Sequence, residues 1–248
     1  MLLIGGLAAV LIGLSKSAVP GAGLLAAPLL ALVVSGRAIA GTMLPMLLVA
    51  DVLAVWWFGR HCRVDVLRPM VWPVIIGFIA GAAFFALIGS ASRPLEIVLG
   101  LIILALVAIQ SYRMVRKAPP VDITPAVTRA TGISGGFSTF VANASGPILN
   151  TYILALRLPK EELIGTSAWF YFVVNAAKIP AYLVLAYLTV GGPFFTAESL
   201  MFNAVLTPLV IAGAWAGRYL LAVISQELFN AAVLLLSAVA AVMLIVGN

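Results

Sequence analysis

The stretch GLSKSAVPGAGLLAAPLLALVVSG, residues 13–36, sets Lys16, Pro20, Gly21 and Gly23 inside an otherwise apolar run. The apolar pieces on either side, 2–15 and 22–34, are about 14 and 13 residues long, and each reaches only ~20 Å as a helix. Neither crosses ~30 Å of hydrocarbon alone. In lipid, a broken backbone is tolerated only where protein or a water-filled cavity satisfies the freed N–H and C=O groups. The SKSAVPGAG turn is therefore predicted to line a cavity. Pro20 ends the first half-helix, the glycines let the chain reverse, and the helix starting near Gly23 aims its positive dipole end into the break.

Working outward, the 248-residue chain is 64% hydrophobic and 9% charged, too apolar for a soluble surface. Hydropathy predicts full-length spans at 38–59, 68–90, 94–112, 162–187, 199–217 and 227–246, which leaves no segment for a soluble domain. The first apolar segment lacks a basic n-region, which argues against a cleaved signal peptide. A single cysteine, Cys62, and a single histidine, His61, preclude an internal disulfide and a multi-Cys/His zinc site. No cofactor and no metal is expected. The net charge of +6 is carried mainly by short loops, so it reads as membrane orientation and not as nucleic-acid binding.

A second break, at ANASGP, separates 130–142 from 146–156, and the two broken regions match. At an offset of 123, Gly13, Ser15 and Gly23 fall on Gly136, Ser138 and Gly146; one residue later, Gly41-Thr42 falls on Gly165-Thr166 and Asp51 on Asn175. PVIIGFIAG from Pro73 corresponds to PLVIAGAWAG from Pro208. The reading is an all-α polytopic membrane protein of two repeats, 1–115 and 127–248, joined by a cytoplasmic linker at 116–126. Tandem repeats with discontinuous helices at matching positions are a common transporter plan. If each broken region is a re-entrant hairpin, each repeat crosses three times and the halves are inverted. Ten Lys and Arg residues then face the cytoplasm, against Arg37 and Arg93 outside; if each broken region crosses once, the split is seven to five. The positive-inside rule favours the hairpins.

Two helix N-termini meeting near the midplane make an anion site. Lys16 sits at the first tip, flanked by Ser15 and Ser17, with Gly21 and Gly23 in the turn. Asn143, Ser145 and Gly146 form the second tip. Lys178, in NAAKIPAY, adds positive charge at similar depth, with Asn175 one helical turn away. These ten residues are the expected substrate-binding set. An intramembrane lysine costs about 2.5–3.5 kcal/mol on insertion scales, so it marks a role. Asp51, the one deep carboxylate, is expected either to pair with a lysine or to carry a coupling proton. Glycine spacings such as Gly77/Gly81 and Gly213/Gly217 read as close helix packing, His61-Cys62 as a loop feature, and Trp56-Trp57 and WFYF from Trp169 as interfacial anchors or bundle packing.

GLSKSAVPGAGLLAAPLLAL with LPMLLVADVLAVWWFGRH, and GFSTFVANASGPILNTYILALRLPKEELIGTSAWFYFVVNAAKIPAYL, resemble the two repeat motifs of the sulfite exporter TauE/SafE family over nearly the whole chain. The resemblance implies a bacterial inner-membrane carrier for sulfite, sulfonates or related organic anions. Lys16, Asp51, Asn175 and Lys178 match a subgroup's pattern. The chain departs from the commonest pattern at Pro20-Gly21-Ala22-Gly23, where three glycines often stand, and at Asn143-Ala144-Ser145-Gly146, where the family often has histidine-glycine-glycine. Asn143 thereby lacks a titratable group for proton coupling.

The expected function is therefore export of a small anion by alternating access, not an enzyme activity. Its partners are the anion, the bilayer and, if coupling exists, protons. Oligomeric state is open, a homodimer included. The alternatives are an anion channel with the same site, or an intramembrane hydrolase using Ser15 or Ser17 with Lys16. An aspartyl protease would need a second deep carboxylate, and a metalloenzyme more ligands than one histidine.

Overall fold

A computed structural model describes residues 2–17, 26–34, 37–88, 92–116, 123–156, 158–189 and 192–220, with isolated residues between 235 and 246. Among these, every regular element is a helix: α1 Leu2–Ser17, α2 Ala26–Ala31, α3 Ala38–Phe58, α4 Val64–Leu67, α5 Val71–Ile88, α6 Ser92–Val115, α7 Pro125–Ala142, α8 Gly146–Ala155, α9 Lys160–Leu188 and α10 Ala197–Leu220. Four helical stretches, Ala38–His61, Val64–Leu87, Glu161–Leu188 and Ala197–Gly217, are long and apolar enough to cross a membrane. The chain is an all-α, multi-pass membrane protein. The last expected span, 227–246, falls almost wholly outside the described residues, as do Gly21 and Gly23.

The second break is defined in atomic detail. Thr124 caps α7 by accepting from Val127 N, with Pro125 following where its missing N–H costs nothing. The helix stops at Asn143, which takes the left-handed conformation (φ 53°) that asparagine tolerates better than most residues. Asn143 N donates to Thr139 O and Ala144 N to Ser138 O, while Ser138 Oγ donates to Ala144 O, so the turn's polar groups are satisfied locally. After α8 starts at Gly146, Leu149 N donates to Ser145 O. In the first region α2 is shorter than the sequence implied: it ends at Ala31, and Val33 N and Val34 N both turn back onto Leu30 O.

The most extensive helix contacts join the two halves of the chain. α1 packs along α10 and α7 along α5, each pair running parallel. At the first crossing a Cβ on Gly13 would overlap the Val210 carbonyl oxygen, and one on Gly213 would overlap that of Val10. At the second, Gly77 faces the Ile133 carbonyl and Gly136 that of Val74 in the same way. Only a hydrogen in place of a side chain allows backbones to approach this closely. Gly13 and Gly136, and Gly77 and Gly213, are the sequence-matched pairs, so each crossing joins one member of each pair.

α3 and α9 form the centre and run antiparallel. Gly165, near the start of α9, abuts Phe58 O at the end of α3, while Gly41, near the start of α3, abuts Phe194 just beyond α9. One apolar core clusters around Phe85, Phe140, Tyr182 and Phe194, where Tyr182 stacks on Phe194 at 4.3 Å. A second holds Met70, Val74, Tyr152, Phe170 and Val174. The centre of α3 and α9 is thus fixed from both ends.

Candidate functional site

Asp51 is fully buried midway along the bundle. Lys16 Nζ lies 2.9 Å from its Oδ1, an ion pair by distance and not a well-directed hydrogen bond, and Asn175 Nδ2 donates to its Oδ2 at 2.5 Å. The same ammonium sits 3.7 Å from the centre of the Tyr171 ring, near enough for a cation–π contact. α1 therefore delivers Lys16 to the crossing of α3 and α9, where one face carries a carboxylate and the other an aromatic ring.

Lys178, also fully buried, lies one turn beyond Asn175 on α9. Its Nζ donates to Thr139 O and Thr139 Oγ1, both at 3.1 Å, and to Asn143 Oδ1 at 2.5 Å. Those acceptors match the three N–H donors of an ammonium. All are neutral; among the described residues no carboxylate lies within ion-pair distance of Lys178. Asn143 Nδ2 donates in turn to Ala40 O at 3.3 Å, tying the α7 tip to the start of α3. The crevice between α2, α3 and the α7 tip, bounded by Ala27, Ala40, Met43 and Asn143, leaves no room for a water molecule.

The family model of the sulfite exporter TauE/SafE family matches residues 5–244. The chain belongs to the TauE/SafE family. No curated protein and no solved structure matches it. Membership in TauE/SafE implies a membrane transporter of sulfite or a related anion, and the apolar helices agree with that placement.

In this TauE/SafE chain the structure brings Lys16, Asp51 and Asn175 into one contact set, and Lys178 and Asn143 into another. Ser145 is buried at the start of α8. Gly146 faces Tyr171, whose Oη lies 3.9 Å from where a Cβ would be. Tyr171 thus spans from Lys16 to the beginning of α8. Ser15 Oγ donates to Ile12 O at 2.7 Å within its own helix, and Lys16 is held by Asp51, so these two do not form a nucleophile–base pair. Gly21, Gly23 and the side chain of Ser17 lie outside the described residues.

Two members of these contact sets escaped the sequence reading. Thr139 stands where Lys16 stands in the other half, at the 123 offset, and that equivalence was a usable signal. Tyr171 reads, within WFYF, as an interfacial anchor or as bundle packing, and nothing in its spacing separates it from its aromatic neighbours.

At the basic end the short loop after α3 is locked onto α9. Arg63 N donates to Thr166 Oγ1 and Trp169 Nε1 to Gly59 O, both at 3.0 Å, and the Arg63 guanidinium bridges Asp65 and Glu162. At the other end Arg37, buried, donates to Thr189 Oγ1 and Phe85 O. It thereby ties the C-terminal ends of α5 and α9, whose negative dipole ends favour a cation, to the start of α3.

Proposed function

We propose that the chain is a secondary carrier that exports sulfite, a sulfonate or a related small organic anion across the inner membrane. Alternating access takes place around the Lys16–Asp51–Asn175–Lys178 centre. The observation that carries this reading is the unequal charge at the crossing of α3 and α9: Lys178 is fully buried among neutral acceptors, while the one buried carboxylate, Asp51, is paired with the partly buried Lys16. An uncompensated buried charge is costly, and a bound anion removes that cost.

The same reading treats the halves as inverted repeats, each with a re-entrant hairpin, α1–α2 and α7–α8. Three features support it. α3 and α9 are antiparallel and touch at the matched positions Asp51 and Asn175. The parallel pairs α1–α10 and α5–α7 exchange partners between the halves, as a two-fold relation requires. Ten of the loop cations fall on one side only in this arrangement. In this reading Ser15 lies on one side of the anion and Asn143, Ser145 and Gly146 on the other, while Gly21 and Gly23 fall outside the described residues. Asp51 serves to hold Lys16. Export of a monovalent anion from a negative-inside cell gains about 2.3 kcal/mol per 100 mV, so no coupling ion is required by energetics.

Counterflow in proteoliposomes tests the carrier. Vesicles preloaded with unlabelled sulfite should take up ³⁵S-sulfite faster than empty ones, and Lys178→Met should abolish that uptake while the protein remains folded. Uptake indifferent to preloading would identify a channel instead. Wild-type counterflow in Lys178→Met would overturn the site.

A further inference from the structure

We propose that the central charge count makes this carrier selective for monovalent over divalent oxyanions, and that Asp51 is the positioning residue that sets that valence. The inference rests on the carrier reading above and adds the charge state of the substrate.

Apart from Arg129 in the second turn of α7 and Lys160, Glu161 and Glu162 at the start of α9, the formally charged side chains of α1, α3, α7, α8 and α9 are Lys16, Asp51 and Lys178. The tip segments AVPGAGLL, residues 18–25, and NASGP, residues 143–147, add none. The count holds for the described residues and the two tips. Lys16 and Asp51 cancel across 2.9 Å. Lys178, bound to the Thr139 carbonyl, the Thr139 hydroxyl and the Asn143 amide oxygen, has no carboxylate within ion-pair distance among the described residues. One positive charge is left over. A single negative charge brings the buried site to neutrality, whereas a dianion overshoots it and carries a much larger dehydration cost into the protein.

Asp51 reaches no ligand itself. One oxygen is taken by Lys16 and the other by Asn175, in a fully buried carboxylate. It acts by cancelling Lys16, so removing its charge while keeping its shape should leave two positive charges in place of one. That separates this role from a purely structural one, which would change stability without inverting an ion preference.

The test is binding to the purified full-length protein, by calorimetry at constant ionic strength, with methanesulfonate as the monoanion and sulfate as the dianion. Wild type should bind methanesulfonate at least tenfold more tightly than sulfate. Asp51→Asn should invert that order, and the double variant Asp51→Asn with Lys16→Met, which restores a count of one, should return it. Lys178→Met, with a count of zero, should bind neither. Should Asp51→Asn fail to fold, the wild-type order and that of the double variant decide the matter alone. Equal or tighter binding of sulfate by wild type overturns the proposal, as does an unchanged order in a folded Asp51→Asn protein. If Lys178→Met binds neither ion while Asp51→Asn keeps the wild-type order, the valence assignment fails and the carrier site stands. If Lys178→Met binds methanesulfonate as wild type does, both fail.

Discussion

Asp51 and Asn175, at matched positions in the two halves of the chain, face each other across the antiparallel α3–α9 crossing with 2.5 Å between carboxylate and amide. One carries a charge and the other an isosteric neutral group, so the centre of the molecule is symmetric in shape and asymmetric in charge. Asn175→Asp would set two carboxylates against each other at hydrogen-bond distance, with Lys16 in contact and Lys178 one turn away on α9. Breaking a buried charged set in this way costs about 3–5 kcal/mol. The thermal midpoint in detergent should fall sharply for Asn175→Asp, and the swap Asp51→Asn with Asn175→Asp should recover part of the loss. An unchanged midpoint for the single variant would show that the crossing is hydrated and open.

The glycine crossings make a contrasting pair of expectations. Gly13→Ala places a methyl group against the Val210 carbonyl and Ala214 N, both backbone, and should destabilise by about 1–3 kcal/mol through overpacking. Gly135→Ala, one residue from a crossing glycine, meets nothing closer than Ile148 Cγ2 at 3.9 Å. It should be neutral or stabilise by up to about 1 kcal/mol through helix propensity. Unfolding midpoints measured side by side check both, and equal effects would mean that α1 and α10 are not held at this distance.

Asn143 combines a backbone role and a side-chain role that substitution can separate. Glycine adopts its left-handed conformation without strain, alanine at a cost of roughly 1–2 kcal/mol. Both lose the bonds to Lys178 and to Ala40 O. Asn143→Gly should thus lose only the side-chain bonds, about 1.5–3 kcal/mol, Asn143→Ala should be weaker still, and sulfite counterflow should fall at least tenfold in both. Full transport by Asn143→Gly would remove Asn143 from the site.

Cys62 offers a check on the loop at the basic end. Its thiol is partly buried, and that burial, followed by the charge of Asp65, raises its pKa. Because the thiolate is the reactive form, alkylation should set in only at higher pH than for a free thiol. Asp65→Asn should move that onset to lower pH. An impermeant thiol reagent should reach Cys62 only from the basic face, and labelling from the opposite face would overturn the inverted arrangement proposed above.

Much of this protein is legible in its sequence for a plain reason. A bilayer demands long apolar helices and penalises every exposed backbone group, so span, break and deep charge each leave a local signature. The ANASGP break, the glycines of the crossings and the unusual depth of Lys16, Asp51 and Lys178 could all be read from composition and spacing alone. The repeat offset also paired Asp51 with Asn175 as equivalents.

Partnership was another matter. Sequence left Asp51 free to pair with a lysine or to carry a proton, and gave no ground for joining it to Lys16 while Lys178 turned to Thr139 and Asn143. It also left Tyr171 among its aromatic neighbours, although its ring lies against Lys16 and its hydroxyl near the start of α8. Helical periodicity fixes which residues share a face of one helix, but not which helix lies opposite or how far it has slid. That register is decided by the packing of apolar surfaces and glycine-mediated crossings between segments more than a hundred residues apart, and it alone determined which lysine kept an unmatched charge.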